Sequence, residues 1–537
     1  MNMASNGKTA ITFTEVDELN SPTLTYIYSE LSTELTTPRR EIEKGSKGRV
    51  DTLASSVSRP WSIDALRSLL VDVFLPAGYP HSVSEDYVSY QIFDSLQAFS
   101  SSIAGLLSSR AVLQGVGVGN ADASPTSALL LHILQDTSGR IATILFAHRV
   151  GTALEPECKM YRFAADVFND LAMVLDCLSP MIPAGVSRVS VLSAAGVLRA
   201  LCGVAGGSSK ASLSAHFAKW GNLAEVNAKD SSQETVISLV GMLVGSLAIS
   251  HINSFKATWL ILILLLILHL SLNYAAVRSV QMSTLNRQRA NISFSTLISS
   301  DPDFAGLISS QDQHAQGISD SINEKEEIRP ITIPTPAEIA KQERIFDANG
   351  ALRWYSSPSL SPSSSLIQGQ ETLGTCQIGV SLRQFVSDSS SYGQTTIAPG
   401  WVKTTLPLND IIPLFSAEDY ILYLTWDPSK IRAKILLKQS STPKSQLKAW
   451  THALLGARVL SLQAQNGLEH DGPRPILAIL SRTLGYLNDS GRFDGWISSL
   501  KRAGWDIGDD DAKEDGKGGS GSALETKVGK RVVVSVS

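Results

Sequence analysis

The sequence predicts a mostly α protein, with a multi-helix membrane core followed by a small α+β domain on the cytosolic side. Two long apolar runs predict transmembrane helices, and strand and helix patterns after residue 340 predict the second domain. Similarity between two stretches of the core adds an internal repeat as a hypothesis. The predicted organisation is a flexible N-terminal arm at 1–58, the helical core at 59–290, a polar linker at 291–340, the α+β domain at 341–508 with a Ser/Pro loop at 356–366, and a disordered tail at 509–537.

The composition excludes several classes of protein. Apolar residues make up 43% of the 537 residues and charged residues 18%, below the roughly 25% of soluble domains. The net charge of −4 gives no electrostatic surface for nucleic acid. Four cysteines without a CxxC spacing predict a reduced compartment, no disulfide framework and no metal site.

The clearest membrane signal is the 21-residue run Ala257–Val277, which contains no Asp, Glu, Lys or Arg. About 20 apolar residues are needed to cross a bilayer. The preceding run Thr235–Ile252 carries Gly241 and Gly245 at GxxxG spacing, which permits close helix packing in lipid. A buried helix in a large soluble core is the alternative for these runs.

The two runs predict a helical hairpin, because only a short link separates them. The basic residues Arg278, Arg287 and Arg289 follow it, and positive residues favour the cytosolic side. We therefore expect the N- and C-terminal regions to lie on the cytosolic side of an intracellular membrane, with the organelle undetermined.

The internal repeat rests on two similar stretches, 104–119 and 193–207, each of which ends in a glycine motif. Asp136 and Asp230 then occupy comparable positions, each before another apolar helix. In transporter folds, sites form where glycine-broken helices of such repeats meet. Chance similarity between helices rich in small residues is the alternative. The motif glycines are Gly115, Gly117 and Gly119 in the first stretch, and Gly203, Gly206 and Gly207 in the second.

The segment Met160–Leu178 predicts a helix with a narrow acidic stripe on an otherwise apolar body. In a membrane, such carboxylates are costly and imply a water-filled path, a cation or a proton relay. On a soluble bundle, the stripe would be the wet face. The candidate residues of a substrate path are Asp136, Asp166, Asn169, Asp170 and Asp230. For Asp136 the alternative is a helix break at residues 136–139, since the residues Asp-Thr-Ser-Gly favour turns.

No catalytic constellation is present: the sequence has no GxSxG, no HExxH, no phosphate-binding loop and no Cys/His cluster. We therefore expect neither an enzyme nor a bound cofactor. In the C-terminal domain, the strands Tyr420–Trp426 and Ile431–Leu437 and three helices after residue 445 are expected.

Several ordered strings in the sequence resemble the signature of the root UVB sensitive (RUS) family. The match is close over about residues 60–290. The strings are Phe74-Leu75-Pro76-Ala77-Gly78-Tyr79-Pro80, Tyr90-Gln91-Ile92-Phe93-Asp94-Ser95-Leu96-Gln97, residues 162–173 (RFAADVFNDLAM), residues 203–207 (GVAGG), residues 228–235 (AKDSSQET) and residues 284–289 (TLNRQR).

The resemblance implies a membrane protein without an established biochemical activity, and it transfers no catalytic residue. Plant members of the family are linked to ultraviolet-B sensitivity, early development and vitamin B6 homeostasis. We therefore expect a transporter-like or small-metabolite-binding protein of vitamin B6-type homeostasis. A membrane-anchored adaptor, whose C-terminal domain recruits protein partners, is the alternative. The expected partners are the lipid bilayer, an unidentified small molecule and a second copy or a related family member, but no nucleic acid.

Overall fold

The computed structural model describes residues 11–16, 22–30, 48–53, 70–71, 73–115, 125–252, 254–309, 331–356, 369–387, 404, 406–427, 430–465, 473–508, 524 and 530–534. The described residues are mostly helical, with two β-sheets. Two compact units divide the chain. The first comprises Met1–Glu85 and Phe217–Thr235, and the second comprises Asp86–His216 and Val236–Ser537. The predicted Ser/Pro loop, apart from Ser356, lies outside the described residues.

The N-terminal segment forms a three-stranded antiparallel sheet where the sequence predicted a flexible arm. Its strands are β1 (Ile11–Val16), β2 (Pro22–Glu30) and β3 (Gly48–Leu53), paired in the order β1-β2-β3. Threonine, isoleucine and aromatic residues dominate β1 and β2, and these residue types favour strands. The prediction of an arm is therefore corrected for these residues.

In the part of the helical core that the structure describes, there are six long helices. They are α1 (Tyr87–Gly115), α2 (Pro125–Val150), α3 (Cys158–Leu178), α4 (Val186–Phe217), α5 (Leu223–Ser250) and α6 (Phe255–Ser279). Helix α6 packs along both α1 and α3. By length and composition, α4, α5 and α6 could each cross a membrane. The first of these three was not predicted as a membrane helix.

The two predicted membrane segments both lie in long helices. Helix α6 extends two residues beyond the run Ala257–Val277 at each end, and the Ser254 side chain caps it by accepting from the Ala257 amide at 3.1 Å. Helix α5 begins at Leu223, before the apolar run that starts at Thr235. Its first turns contain polar residues that favour helices, such as Glu and Lys, so hydropathy alone missed them.

Helix α2 continues through the predicted turn at residues 136–139, which corrects that alternative. The Asp136 carboxylate accepts from Arg140 Nε at 2.9 Å, and both side chains are exposed. Gly139 is the point of close approach to α4, since a Cβ there would lie 3.5 Å from the Gly196 carbonyl oxygen. Helix packing thus accounts for a glycine at the middle of this helix.

The predicted role of the GxxxG pair agrees with the packing of α5 against α1. A Cβ at Gly241 would lie 2.9 Å from the Phe99 carbonyl oxygen, and one at Gly245 would lie 2.9 Å from Leu106 Cδ1. Only glycine permits this separation of the two backbones.

Replacing Gly241 by alanine is expected to lower the free energy of unfolding by about 1–3 kcal/mol, because the new methyl group forces α5 away from α1. Gly203 is the matched control, since a Cβ there meets no atom within 4 Å. At that position alanine should stabilise the helix by roughly 0.5–1 kcal/mol. Denaturant titrations of both variants in detergent measure the difference, and equal effects would contradict the packing argument.

The C-terminal domain is α+β, with a sheet of order β4-β5-β7-β6 and a short fifth strand on β7. Its strands are β4 (Ala351–Tyr355), β5 (Gln370–Ile378), β6 (Tyr420–Asp427), β7 (Lys430–Lys438) and β8 (Arg531–Val532). Its helices are α7 (Arg287–Ser300), α8 (Asp303–Ser309), α9 (Pro336–Gln342), α10 (Leu382–Val386), α11 (Leu408–Leu414), α12 (Pro443–Gln465), α13 (Pro473–Asn488) and α14 (Arg492–Arg502).

Two boundaries of this domain differ from the prediction. Helix α7 extends from the predicted core into the segment 291–340 that was expected to be a polar linker, and there Ile292, Phe294 and Leu297 are fully buried in the core of the domain. In the expected disordered tail, Leu524 is buried and β8 pairs with β7. The composition of both segments is too polar to predict burial, and in α7 polar side chains such as Gln288 and Asn291 are buried together with the apolar ones.

Candidate functional site

Helix α3 turns its acidic stripe toward the other helices, and an apolar side chain is exposed on its opposite side. Asp166, Asp170 and Asp176 are buried, whereas Leu171 is 48% exposed. The interpretation of this stripe as a solvent-exposed face is therefore wrong. Buried carboxylates require paired or hydrogen-bonded surroundings, since their desolvation costs several kcal/mol.

Arg162 is the central cation among these carboxylates. Its Nη2 lies 2.7 Å from Asp94 Oδ1 on α1, and its Nη1 lies 3.1 Å from Asp166 Oδ2 one turn along α3. Its Nε donates to Tyr90 Oη at 3.2 Å. The fork of the guanidinium thereby joins α1 to α3 by several bonds at once.

His269, from the middle of the uncharged run of α6, completes the cluster. Its Nδ1 lies 2.7 Å from Asp170 Oδ1, and its Nε2 lies 3.1 Å from Gln97 Nε2. Because the amide nitrogen of Gln97 can only donate, His269 Nε2 accepts and the His269 Nδ1–H donates to the carboxylate. Asn273, one turn further along α6, donates to Asp166. We call this set the polar cluster: Asp94, Gln97, Arg162, Asp166, Asp170, His269 and Asn273.

The polar cluster has more acceptors than the described residues satisfy. Asp170 Oδ2 and Asn273 Oδ1 are buried without a hydrogen-bond partner among the described side chains and backbone. The cluster also holds three carboxylates against one guanidinium. Such a site favours a proton or a ligand group that donates hydrogen bonds. Across the part of the chain that the structure describes, no group of three or more His, Cys, Asp or Glu side chains is placed to hold a metal ion.

The outer surface of the helices around the polar cluster is strongly apolar. Leu264 on α6 is 57% exposed and Leu247 on α5 is 71% exposed. Soluble proteins rarely expose contiguous apolar patches of this kind. Other exposed side chains on these helices are Ile92, Leu96, Leu129, Leu130, Ile144, Leu145, Leu239, Leu243, Leu260 and Ile267.

Comparison with known proteins identifies the family. Residues 60–301 match the family model described as "Vitamin B6 photo-protection and homoeostasis domain". "RUS family member 1" of Dictyostelium discoideum is 40% identical over 283 residues, which cover 52% of this chain and 48% of that protein. Residues 60–301 are a domain of the RUS family. We refer to residues 60–301 as the RUS domain.

Further RUS relatives come from Arabidopsis thaliana. "Protein root UVB sensitive 3" is 36% identical over 224 residues, which cover 42% of this chain and 50% of that protein. "Protein root UVB sensitive 2, chloroplastic" is 29% identical over 245 residues, which cover 45% and 55% respectively. The chain spans about half the length of the curated relatives it matches. No solved structure matches the chain.

The RUS domain brings two of the five predicted path residues into the polar cluster, namely Asp166 and Asp170. Asn169 is half-buried on the same helix. Asp136 lies on the exposed side of α2. Asp230 is buried in the other compact unit of the chain.

The unit that holds Asp230 joins two of the signature strings. Glu225 Oε1 accepts from the Ala77 amide at 2.8 Å, and Gln233 Nε2 donates to the Phe74 carbonyl at 2.5 Å. The resemblance to the RUS family therefore rests partly on residues that hold this turn-rich segment together.

The glycine motifs do not both mark helix breaks. Gly115 is the last residue of α1, whereas Gly203, Gly206 and Gly207 lie inside the continuous helix α4. A Cβ at Gly206 would be 3.6 Å from Ala165 Cβ, which is ordinary contact. Gly117 and Gly119 lie outside the described residues. The internal repeat stays a prediction.

The sequence reasoning missed Asp94, Gln97, Arg162, His269 and Asn273. One signal for the last two was visible, because two polar side chains four residues apart interrupt a run of leucine and isoleucine. Their partners could not be found from spacing, since Gln97 and His269 are 172 residues apart.

A second set of buried charges attaches the C-terminal domain to α3. Glu343 Oε2 lies 2.7 Å from Lys159 Nζ, and Glu343 Oε1 lies 3.3 Å from Arg289 Nε. Arg278, at the end of α6, donates to the backbone carbonyls of Glu343 and Lys341. Burial alone would raise the pKa of the Glu343 carboxyl, but Lys159 and Arg289 outweigh it and hold that pKa below its ordinary value.

Proposed function

We propose that this chain with its RUS domain is an integral membrane protein whose helical core binds and passes a small metabolite in vitamin B6 homeostasis. It acts as a transporter-like protein and not as an enzyme, in an intracellular membrane, with its C-terminal domain on the cytosolic side. The observation that carries the proposal is the polar cluster, buried within helices whose outer side chains are apolar. In a soluble bundle the arrangement is the opposite, with apolar side chains inside and polar side chains on the surface.

The cluster supplies the chemistry for such a ligand. Its unpartnered acceptors, Asp170 Oδ2 and Asn273 Oδ1, would receive hydrogen bonds from a hydroxyl, an amine or a protonated ring nitrogen. Vitamin B6 compounds carry donors of these kinds. Because Arg162 and its acidic partners are buried, a ligand can reach them only when the helices separate. Alternating access in transporters works by such movements around a central site.

Replacing Asp166 and Asp170 together by asparagine is expected to abolish uptake of radiolabelled pyridoxine into vesicles that contain the full chain. The exchange removes two charges at nearly constant volume, and Asp94 remains as the partner of Arg162. The variant should therefore elute from size exclusion in detergent like the unmodified protein. Asp136→Asn is the matched control, because that carboxylate is exposed on α2, and it should retain uptake.

Undiminished uptake by the double variant would contradict the proposed site.

Membrane insertion is tested separately, by alkaline carbonate extraction of the full chain from cells. Retention in the pellet is expected, and release into the supernatant would contradict an integral membrane protein. Retention without uptake of pyridoxine, together with rescue of a null phenotype by the C-terminal domain on an unrelated anchor, would favour the adaptor.

A further inference from the structure

The three carboxylates of the polar cluster differ in their partners. Asp94 and Asp166 both pair with Arg162, and Asp166 also accepts hydrogen bonds from side-chain amides of α1 and α6. Asp170 pairs instead with His269 through Oδ1, and its Oδ2 is buried without a hydrogen-bond partner within the described part of the chain. Cations and hydrogen-bond donors favour the ionised form of a carboxylate. Of the three carboxylates, Asp170 is therefore the one that a proton binds most readily.

The neighbouring His269 is held in its neutral form. Its Nε2 accepts from Gln97 Nε2 at 3.1 Å, and Gln97 Oε1 accepts from Arg162 Nη2 at 3.3 Å. Because a guanidinium can only donate, the second contact fixes which end of the Gln97 amide faces the histidine. A proton on His269 Nε2 would lie against an amide N–H. An incoming proton therefore belongs on the open oxygen of Asp170 and not on the ring.

Protonation at this oxygen leaves the ion pairs of Arg162 in place. Oδ1 of Asp170 still accepts from His269 Nδ1 at 2.7 Å. The other charged or titratable side chains around the carboxyl come from three helices: Tyr90 and Asp94 from α1, Arg162 and Asp166 from α3, and Cys202 from α4. A further cation of α4, Arg199, pairs with Asp176. A proton thus changes the charge of the polar cluster without rearranging it.

A ligand that donates a hydrogen bond needs this same oxygen in its ionised form. A protonated Oδ2 presents its own O–H, which would face the donor of the ligand. The second open acceptor of the cluster, Asn273 Oδ1, belongs to an amide and does not titrate. The proton and the donor group of a metabolite therefore exclude each other at Asp170.

We propose that the polar cluster exchanges a proton for the metabolite, with Asp170 Oδ2 as the atom that binds either one. This inference rests on the transport proposed above. In one state Oδ2 carries the proton and the site holds no metabolite. In the other state the carboxylate is ionised and accepts a hydrogen bond from a hydroxyl of the metabolite. The proton leaves to the water on the side from which the metabolite enters, so the two move in opposite directions.

The first test is equilibrium binding of radiolabelled pyridoxine to the full chain in detergent at several pH values. Once Asp170 is protonated, the dissociation constant should rise about tenfold for each further unit of acidification, because one proton competes for one site.

Asp170→Asn is the diagnostic variant, since it keeps an oxygen for His269 but replaces the open acceptor by an amide N–H. It should bind at least about tenfold more weakly, and its dissociation constant should not show this dependence on pH. Titration of pyridoxine itself is common to both chains and cancels in the ratio of their constants. Asp136→Asn is the matched control, because that carboxylate is exposed on α2, and it should keep both the affinity and its pH dependence.

The second test is uptake of pyridoxine into vesicles that contain the full chain. Valinomycin and equal potassium on both sides hold the membrane potential at zero. An interior more acidic than the outside by about one pH unit should accumulate pyridoxine about tenfold through one-to-one exchange. Vesicles with the Asp166→Asn, Asp170→Asn double variant measure passive entry, which is subtracted.

Three results would overturn the exchange. Accumulation only when the outside is the more acidic side would show that the proton and pyridoxine move together. Uptake that is equal in both gradients, with an affinity independent of pH, would remove the proton from the cycle but leave the proposed transport in place. Absence of both binding and uptake would overturn the proposed transport as well. Failure of the exchange is therefore distinguishable from failure of the transport.

Discussion

Replacing Arg162 by methionine is expected to lower the free energy of unfolding by about 3–5 kcal/mol. The methionine side chain fills much of the same volume but leaves Asp94 and Asp166 buried without their shared cation. The expected decrease in the free energy of unfolding is larger than the net stabilisation by the ion pairs, because the two unpaired carboxylates remain buried away from water. Denaturant titration of the full chain in detergent measures the change.

Two further variants separate this effect from general damage. Arg162→Lys keeps the charge but loses the forked geometry toward Asp94, so an intermediate loss is expected. Arg140→Gln breaks an exposed pair on α2, which should cost at most about 0.5 kcal/mol. A loss at Arg162 no greater than that at Arg140 would show that the polar cluster contributes little to stability.

Replacing Glu343 by glutamine is expected to cost about 3–5 kcal/mol, because it leaves Lys159 and Arg289 buried without their common carboxylate. The variant should also expose the segment before β4 to limited proteolysis, since Glu343 holds the C-terminal domain on α3. Asp494→Asn is the control: its pair with Lys444 is largely exposed, and the expected loss is below about 1 kcal/mol.

The pH dependence of stability gives an independent measurement on Glu343. Its pKa is lower in the folded chain than the ordinary value of 4.5, so its ionised form stabilises the fold above that pH. This stabilisation is lost as the pH falls from 4.5 through the lower folded pKa. The glutamine variant should therefore lose less stability than the unmodified chain on acidification, and an identical acid profile would contradict this assignment.

Elements whose structure is determined by the local sequence could be predicted, whereas elements whose burial depends on distant residues could not. Helix α6 was located within two residues, because an uncharged run of its length needs no distant partner to be recognised. The strands β6 and β7 were likewise visible in local patterns. Helix α7 was mistaken for linker, since its burial depends on a sheet formed by later residues.

The polar cluster illustrates the limit for a functional site. Periodicity placed Asp166 and Asp170 on one face of α3, and this required only the helical repeat. Whether this face of α3 is solvent-exposed or buried depends on Asp94, Gln97 and His269, which lie on helices distant in sequence. Long-range pairing of this kind is invisible to spacing rules.

The distance in sequence between the partners of the polar cluster also dictates an order of assembly. His269 follows Asp170 by 99 residues, so a growing chain completes α1 and α3 well before their last hydrogen-bond partners are synthesised. Until α6 emerges from the ribosome, Asp170 has no histidine to pair with and remains costly to bury. Products of premature termination shortly before residue 269 should therefore be recognised as incompletely folded and degraded, even though they contain the complete helices α1 to α5 of the RUS domain.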